Sequence, residues 1–264
     1  MEQVIYNLPL WALGLLIVAC SVAYVLLSIA VVHRMGWVLD VEEVGSATVL
    51  HAFVSVVYAV ALALIVVSVQ SDFSAVDDAV LTEASKVGDL YRNLDGLAEP
   101  DRSRLQEEVR RYVDLVIDKE WPANNLGRQS DETHRAVDYL ARHVIQLHPS
   151  TADAQVVQGA LLQDVDDVLD ARRKRIFLGQ SSMSPIMWLI IAAGAVITIG
   201  FAAMFPMRRG RQIAIMCMAA TMFALMIFLV IAMDRPLRGD LSVQPDAFRM
   251  IKVNIAHLMQ ETKR

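Results

Sequence analysis

One stretch of the sequence carries polar and apolar side chains on a single helical line. The line lies in the uncharged segment from His51 to Gln70, where its members recur at helical spacing. Its members are His51, Ser55, Tyr58, Leu62, Ile65 and Val69. Polar groups at one end and a ring of bulky apolar side chains beyond them are typical of a gated ion conduit. The line therefore predicts a pore lining in an assembly of several copies. Ordinary packing between helices, with Ser and Tyr hydrogen-bonded to neighbours, is the alternative.

The composition that surrounds this line is that of an integral membrane protein. Hydrophobic residues make up 55% of the 264 residues and charged residues 20%, with a mean hydropathy of +0.42. Four apolar blocks are each long enough to cross a bilayer as a helix. The first follows Met1–Pro9, which contains Glu2 and no Lys or Arg, so we interpret it as a retained span and not as a signal peptide. We predict spans at about residues 8–32, 49–70, 185–206 and 213–233.

The spacing of the spans predicts an all-α membrane protein with two hairpins that flank a soluble helical domain. Spans one and two, and spans three and four, are joined by connections too short to form a domain. The predicted organisation is a hairpin at 1–71, an extramembrane helical domain at 72–183, a second hairpin at 184–233 and a C-terminal tail at 234–264.

The polar middle region shows three apolar stripes at helical spacing. They are Leu105, Val109, Tyr112 and Val116; Val137, Leu140, Val144 and Leu147; and Val157, Leu161, Val165 and Val168. We predict helix breaks at Glu99–Pro100, at Trp121–Pro122 with Asn124, Asn125 and Gly127 following, and at Pro149–Ser150, with Ser150 or Thr151 as an N-cap. We expect two of the four resulting helices to continue spans two and three.

Basic residues predict the orientation. Arg208, Arg209 and Arg211 lie between spans three and four, and short loops rich in Arg remain in the cytoplasm. This places the N-terminus and the helical domain in the periplasm. The run from Arg172 to Arg175, shortly before span three, argues for the opposite orientation.

Two motifs identify a family resemblance. Glu83, Gly88, Arg92 and Tyr112 belong to the stretch that begins at Leu81. Asp234, Arg235, Pro236 and Gly239 follow span four. Placed after the two hairpins, these motifs resemble those of the bestrophin-like family, whose members are bacterial and plant membrane proteins with distant similarity to the bestrophin anion channels. The resemblance covers almost the whole chain and implies a bacterial inner-membrane protein.

The resemblance also implies a function. Bestrophins are homopentameric anion channels whose second transmembrane helix lines the pore, so we expect a homo-oligomer in the lipid bilayer that passes small ions, a pentamer by analogy. The sequence departs from bestrophins in one respect, because their helical region is cytosolic. A non-conducting membrane-anchored scaffold or sensor, whose helical domain binds a partner, is the alternative function.

Several other classes find no support in the sequence. There is no nucleophile elbow, metal signature or phosphate loop, so we expect no catalytic residue, no cofactor and no enzyme activity. His134, His143 and His148 are not at metal-ligand spacing, and we expect no metal site. Residues 72–183 contain 21 acids and 14 bases, a balance of −7, which offers no basic face for nucleic acid.

Glu83 and Lys86, three residues apart, are interpreted as a surface pair, with a vestibule or subunit contact as the alternative.

Overall fold

The computed structural model of the chain describes residues 9–149, 151–239 and 241–261. All regular structure in these ranges is helical. In chain order the α-helices are α1 (Leu10–Met35), α2 (Val44–Asn93), α3 (Asp101–Leu115), α4 (Trp121–Asn125), α5 (Asp131–Ile145), α6 (Ala152–Gly179), α7 (Pro185–Ala202), α8 (Arg209–Met233) and α9 (Asp246–Glu261). A short 3-10 turn, Leu94–Gly96, follows α2, and a π-helical turn, Val116–Glu120, joins α3 to α4.

The chain forms two compact units. The membrane unit contains residues 9–71 and 182–235, and the extramembrane unit contains residues 72–181 and 236–261. Four helices, α1, α2, α7 and α8, are long and apolar enough to cross a membrane, which confirms the predicted all-α membrane fold. Span two does continue as a helix, because α2 extends without interruption to Asn93.

The membrane unit is held together by apolar packing and by contacts between its loops. One core contains Val25 and Ile29 of α1 with Ile199 of α7 and Ala220 of α8. Gly36 ends α1 at a φ of 70°, in the left-handed region that glycine adopts without strain.

The loop that follows α1 is hydrogen-bonded to the loop that follows α7. The backbone N–H of Leu39 donates to the carbonyl of Met204 at 2.9 Å. The buried side-chain amide of Gln212 donates to the carbonyls of Ala203 and Phe205, at 2.9 and 3.2 Å. These contacts fix the end of α7 against the first turn of α8.

The extramembrane unit is built on the three predicted stripes. Their side chains are buried in one core, with Tyr112, Val144 and Leu161 fully enclosed. The predicted cap is confirmed at Thr151, whose hydroxyl accepts from the N–H of Ala154 at 3.1 Å. Ser150, the other candidate, lies outside the described residues.

One predicted helix break lies at its later residues, and one predicted helix continuation is wrong. The predicted break at Trp121–Pro122, with Asn124, Asn125 and Gly127 following, is found at its later residues. The chain stays helical through Trp121 and Pro122, where the π-helical turn passes into α4, and α4 ends at Asn125. The chain turns only at Gly127, which has a φ of 71°. The helix that was expected to continue into span three ends at Gly179, and α7 begins anew at Pro185.

Residues after span four contribute to the extramembrane core. Phe248 and Ile255 of α9 are buried in it, and the indole N–H of Trp121 donates to the carbonyl of Val243 at 2.9 Å. Gly179 allows Leu237 to approach, since a Cβ at this glycine would lie 2.2 Å from the Leu237 Cδ1.

Candidate functional site

The residues of span two that were predicted to form a pore lining, from His51 to Val69, lie against neighbouring helices of the same chain. Tyr58, Leu62, Ile65 and Val69 are between 5% and 9% exposed and belong to a core that includes Ile191 of α7. The Tyr58 hydroxyl donates to the carbonyl of Ile191 at 3.1 Å. These four side chains have almost no free surface to offer to a conduit.

A glycine makes this packing possible. A Cβ at Gly194 would lie 2.2 Å from Cδ2 of Tyr58, a distance that real Cβ contacts essentially never show. The absence of a side chain at Gly194 therefore lets the Tyr58 ring approach α7 closely, as small residues commonly allow at helix interfaces in membranes.

The polar end of the line also meets α7. The Nε2 of His51 lies 3.2 Å from the carbonyl oxygen of Thr198, and the ring packs edge-on against Phe201 at 5.2 Å. The hydroxyl of Ser55 is buried and has no hydrogen-bond partner among the described residues. The contacts of His51 fit the packing alternative, whereas the Ser55 hydroxyl does not make the hydrogen bond that this alternative expects. A pore-lining role for span two stays a prediction.

The opposite face of span two is free within the chain. Its most exposed apolar residues repeat at helical spacing over four turns and carry no charge. They are Phe53, Val56, Val57, Val60, Leu64 and Val67, which are 54% to 67% exposed.

The extramembrane unit contains a cluster of buried charges, the ion cluster, formed by Glu83, Tyr112, Glu120, Arg172 and Arg175. None of these residues is more than 4% exposed. They come from α2, α3, the π-helical turn and α6, so the cluster joins the elements that build the unit.

Ion pairs and hydrogen bonds link every member of the ion cluster. Arg175 bridges the two carboxylates, through Nε to Glu83 at 2.5 Å and Nη2 to Glu120 at 2.9 Å. Nη1 of Arg172 donates to Glu120 at 2.7 Å and to the Tyr112 hydroxyl at 3.2 Å. The Tyr112 hydroxyl donates to Glu83 at 2.5 Å. Two guanidinium groups against two carboxylates make the cluster neutral.

The environment of the cluster holds its members in these charge states. Burial alone would raise the pKa of Glu120, but the guanidinium groups of Arg175 and Arg172 outweigh it and hold the pKa below its usual value. Burial, together with the negative charge of Glu83, raises the pKa of Tyr112 well above that of a free phenol. Tyr112 therefore stays a neutral donor to Glu83.

The ion cluster contradicts one expectation and shows what sequence reasoning missed. The predicted surface pair of Glu83 with Lys86 is wrong, because Glu83 is fully buried and Lys86 pairs with Asp167 at 2.7 Å. The signal was the apolar stripe of α6, whose spacing continues from Val168 to Arg172 and Arg175.

The remaining motif residues have structural roles. A Cβ at Gly88 would lie 3.0 Å from Cδ1 of Ile251, and Arg92 is exposed and pairs with Asp89. Asp234 ends span four, and its carboxylate accepts from the backbone N–H of Met183 at 2.7 Å.

The second half of the later motif shapes a turn. Pro236 is buried, and its carbonyl accepts from the N–H of Val243 at 2.8 Å, whereas Arg235 is half-buried. Gly239 has a φ of 79°, and its N–H donates to Asn125 at 2.8 Å. Among the described residues no group of three or more His, Cys, Asp or Glu is placed to hold a metal ion.

Comparisons with known proteins agree on the fold and the family. A bacterial bestrophin homologue from Klebsiella pneumoniae, crystallised with a single substitution, is similar with a TM-score of 0.65 at 13% identity, over 93% of this chain and 98% of that one. A second variant of this homologue gives 0.64 at 13% identity, over 92% and 97%. A crystal structure described as a membrane protein gives 0.62 at 12% identity, over 92% and 97%. No curated protein matches the sequence.

The identities to these structures are low, so the likeness shows a shared fold. The family itself is shown by the model of the bestrophin-like domain, which matches residues 14–248 and thus most of the first hairpin, the whole of the second, the ion cluster and both motifs. The resemblance found in the sequence is confirmed, and the chain belongs to the bestrophin-like family.

Proposed function

We propose that this chain forms a homo-oligomeric ion channel, selective for anions, with span two lining its conduit. The free apolar face of span two is the observation that carries the proposal. Family membership and the bestrophin-like fold support it. Because the line from His51 to Val69 packs within the chain, the proposed lining is the opposite stripe from Phe53 to Val67.

A conduit lined in this way has an apolar constriction. Val60 and Leu64 are 54% and 66% exposed and lie on successive turns of the free stripe, without a charged residue between them. A ring of such side chains, one from each copy, excludes water and ions until the ring widens. Conduction would therefore be gated by wetting of this ring.

Flux through liposomes that contain the purified protein tests the proposal. We expect anion flux from the parent protein and a larger flux from Leu64→Ser, since a hydroxyl on the ring favours water in the constriction. Leu15→Ser is the matched control, because Leu15 of α1 is 62% exposed in the same unit but lies on another span. An equal rise in both variants would assign the effect to leakage, and no flux from any of the three proteins would favour a scaffold or sensor.

The assembly has its own test. A conduit built from one helix per subunit requires several copies, so native mass spectrometry should detect a homo-oligomer, a pentamer by analogy with bestrophins. A protein that stays monomeric in mild detergent and in lipid nanodiscs would contradict the proposal.

The proposal includes an orientation in the bacterial inner membrane, with the N-terminus and the extramembrane unit in the periplasm. It rests on the exposed arginines Arg208, Arg209 and Arg211 between spans three and four. The basic run from Arg172 to Arg175, before span three, argues for the opposite orientation. Two of its residues, Arg172 and Arg175, are buried in the ion cluster, so only Arg173 and Lys174 of this run are exposed.

Cysteine labelling tests this orientation. In a background with Cys20→Ser and Cys217→Ser, a cysteine in place of the exposed Gln129 should react with a membrane-impermeant maleimide in spheroplasts. Protection in intact spheroplasts and reaction after lysis would place the extramembrane unit in the cytoplasm.

A further inference from the structure

An apolar groove, which we call the α1–α7 groove, lies on the surface of the membrane unit. Its volume is about 640 Å³, within the range of ligand pockets at roughly 300–1,000 Å³. Lining residues include Tyr24, Leu27, Val31, Trp37, Val196 and Phe201. Leu27 and Trp37 are more than half exposed, so contacts within the chain leave the groove open.

The groove is fixed by hydrogen bonds at its side and its end. The Tyr24 hydroxyl donates to the carbonyl of Val196 at 2.9 Å and so joins α1 to α7 beside the groove. At the end near Trp37, the bond from Leu39 to Met204 joins the two loops. A Cβ at Gly200 would lie 3.3 Å from the Tyr24 hydroxyl, so this glycine keeps the groove wall close to Tyr24. The shape is therefore a property of the fold.

Arginines follow the lining at the loop end of the groove. Leu27, Val31 and Arg34 lie at successive turns of α1, at spacings of four and three residues, so Arg34 continues the stripe that lines the groove. On the other wall the lining ends at Met204, and Arg208 lies further along the same non-helical connection between α7 and α8. Arg209 and Arg211 come directly after it.

These arginines have no partners of their own. Arg34, Arg208, Arg209 and Arg211 are exposed, and their side chains make no ion pair or hydrogen bond within the ranges that the structure covers. The nearby acids are Asp40, Glu42 and Glu43. One of them, Glu43, accepts from the backbone N–H of Asp40 at 3.1 Å. The loop end therefore has free positive charge beside an apolar trough.

We propose that the α1–α7 groove binds one anionic phospholipid, with an acyl chain along the trough and the phosphate against Arg34 and Arg208. The acyl chain of the lipid gains little free energy when it moves from the bilayer into an equally apolar groove. The headgroup must therefore supply the selectivity for one lipid over another. Anionic headgroups attract arginines beside the membrane surface, and phosphate accepts their N–H groups in a forked geometry. A second copy of this chain that covered the groove with an apolar span would leave the arginines unpaired. The proposal does not depend on conduction.

Quenching of Trp37 by brominated lipid tests the proposal directly. In the full chain with Trp11→Phe and Trp188→Phe, Trp37 remains as the tryptophan of the membrane unit, while Trp121 is buried in the extramembrane unit. The protein is placed in phosphatidylcholine bilayers that contain increasing fractions of phosphatidylglycerol or phosphatidylcholine with brominated acyl chains. We expect the phosphatidylglycerol to reach half of its maximal quenching at a mole fraction lower by about fivefold or more, the effect of roughly one arginine at an anionic surface.

Variants separate headgroup binding from general contact with lipid. Arg34→Gln with Arg208→Gln should abolish the preference, whereas Lys at both positions should keep most of it. Arg249→Gln removes one charge from the exposed face of α9 and should change nothing. Size-exclusion chromatography of each variant verifies that it is folded.

Three results would overturn the proposal. Equal quenching by the two lipids in the parent would show no headgroup recognition. A preference that survives Arg34→Gln with Arg208→Gln would place the phosphate elsewhere. A Trp37 that neither lipid quenches would show that protein covers the groove, as expected for an interface between copies.

Discussion

The two units of this chain satisfy their buried polar groups in different ways. In the membrane unit, the buried Tyr58 and Gln212 and the partly exposed Tyr24 donate to backbone carbonyls, and these contacts are neutral. In the extramembrane unit, buried carboxylates and guanidinium groups meet in the ion cluster. Among the described residues, the membrane unit buries one charged side chain, Asp234 at the end of span four, whereas the extramembrane unit buries four charges in one cluster.

The difference follows from the solvent in which each unit folds. A charge inside a bilayer is expensive, and helices there associate through close packing and weak hydrogen bonds. A unit that folds in water can bury charges when each meets a partner, although the desolvation penalty consumes much of the gain. We therefore expect the membrane unit to be insensitive to the loss of any one polar contact. The extramembrane unit should depend strongly on each member of its cluster.

Arg175→Met should produce the largest effect. The substitution leaves Glu83 and Glu120 buried with one fewer cation, and breaking a buried ion pair costs about 3–5 kcal/mol. The free energy of unfolding of the extramembrane unit can be followed by the fluorescence of Trp121, whose ring lies 5.1 Å from the Arg175 guanidinium carbon. Trp11, Trp37 and Trp188 are replaced by Phe in every protein used.

Arg173→Met is the matched control for this measurement. Arg173 lies two residues away on the same helix, but it is exposed and pairs on the surface with Asp170. Its loss should leave the unfolding midpoint nearly unchanged. Equal effects of the two substitutions would show that the ion cluster does not hold the unit together.

The two units should differ in their sensitivity to acid. The folded pKa of Glu120 lies below its usual value, so the unfolded chain takes up the proton first as the pH falls. The stability that Glu120 contributes is present above about pH 4.3, the usual glutamate pKa, and is lost as the pH falls through the folded pKa. The effect should be smaller than that of Arg175→Met, because a proton neutralises one carboxylate without removing a side chain.

Trp121 emission between pH 7 and pH 3 measures this loss, and circular dichroism reports whether the spans remain helical. We expect the extramembrane unit to loosen while the helices of the membrane unit persist. Glu120→Gln cannot titrate, so it should start from a lower stability and show a shallower dependence on pH. An equally steep dependence in Glu120→Gln would assign the acid sensitivity to other carboxylates.

Sequence patterns predicted the spans of the membrane unit and the apolar core of the extramembrane unit. Runs of apolar residues located the four spans, because length and hydropathy are sufficient to cross a bilayer. The stripes through Leu105, Val137 and Leu161 located the extramembrane core, since water excludes the apolar face of each helix.

The same patterns failed where charge and apolar spacing disagreed. Glu83 was interpreted as part of a surface pair, and the run that ends at Arg175 only as a signal of orientation, yet both side chains are fully buried. In span two the difficulty is the reverse, because neither face carries a charge and both are apolar beyond Tyr58. The positions of α7 and α8 decide that Leu62 is buried and Leu64 is free.

A matched pair of Tyr→Phe substitutions provides the finest comparison, because each removes a single hydroxyl. Tyr58→Phe loses the bond to the Ile191 carbonyl, and such bonds in membranes contribute about 0.6 kcal/mol on average. Tyr112→Phe leaves Glu83 without one donor, and a hydrogen bond to a charged group contributes about 1.5–3 kcal/mol. Unfolding of the full chain in mixed micelles, followed by tryptophan fluorescence, measures both. Tyr112→Phe should lower the free energy of unfolding by more than Tyr58→Phe does, because the ionic partner of Tyr112 remains buried. A similar decrease for both would show that a buried hydroxyl contributes equally to the stability of the two units.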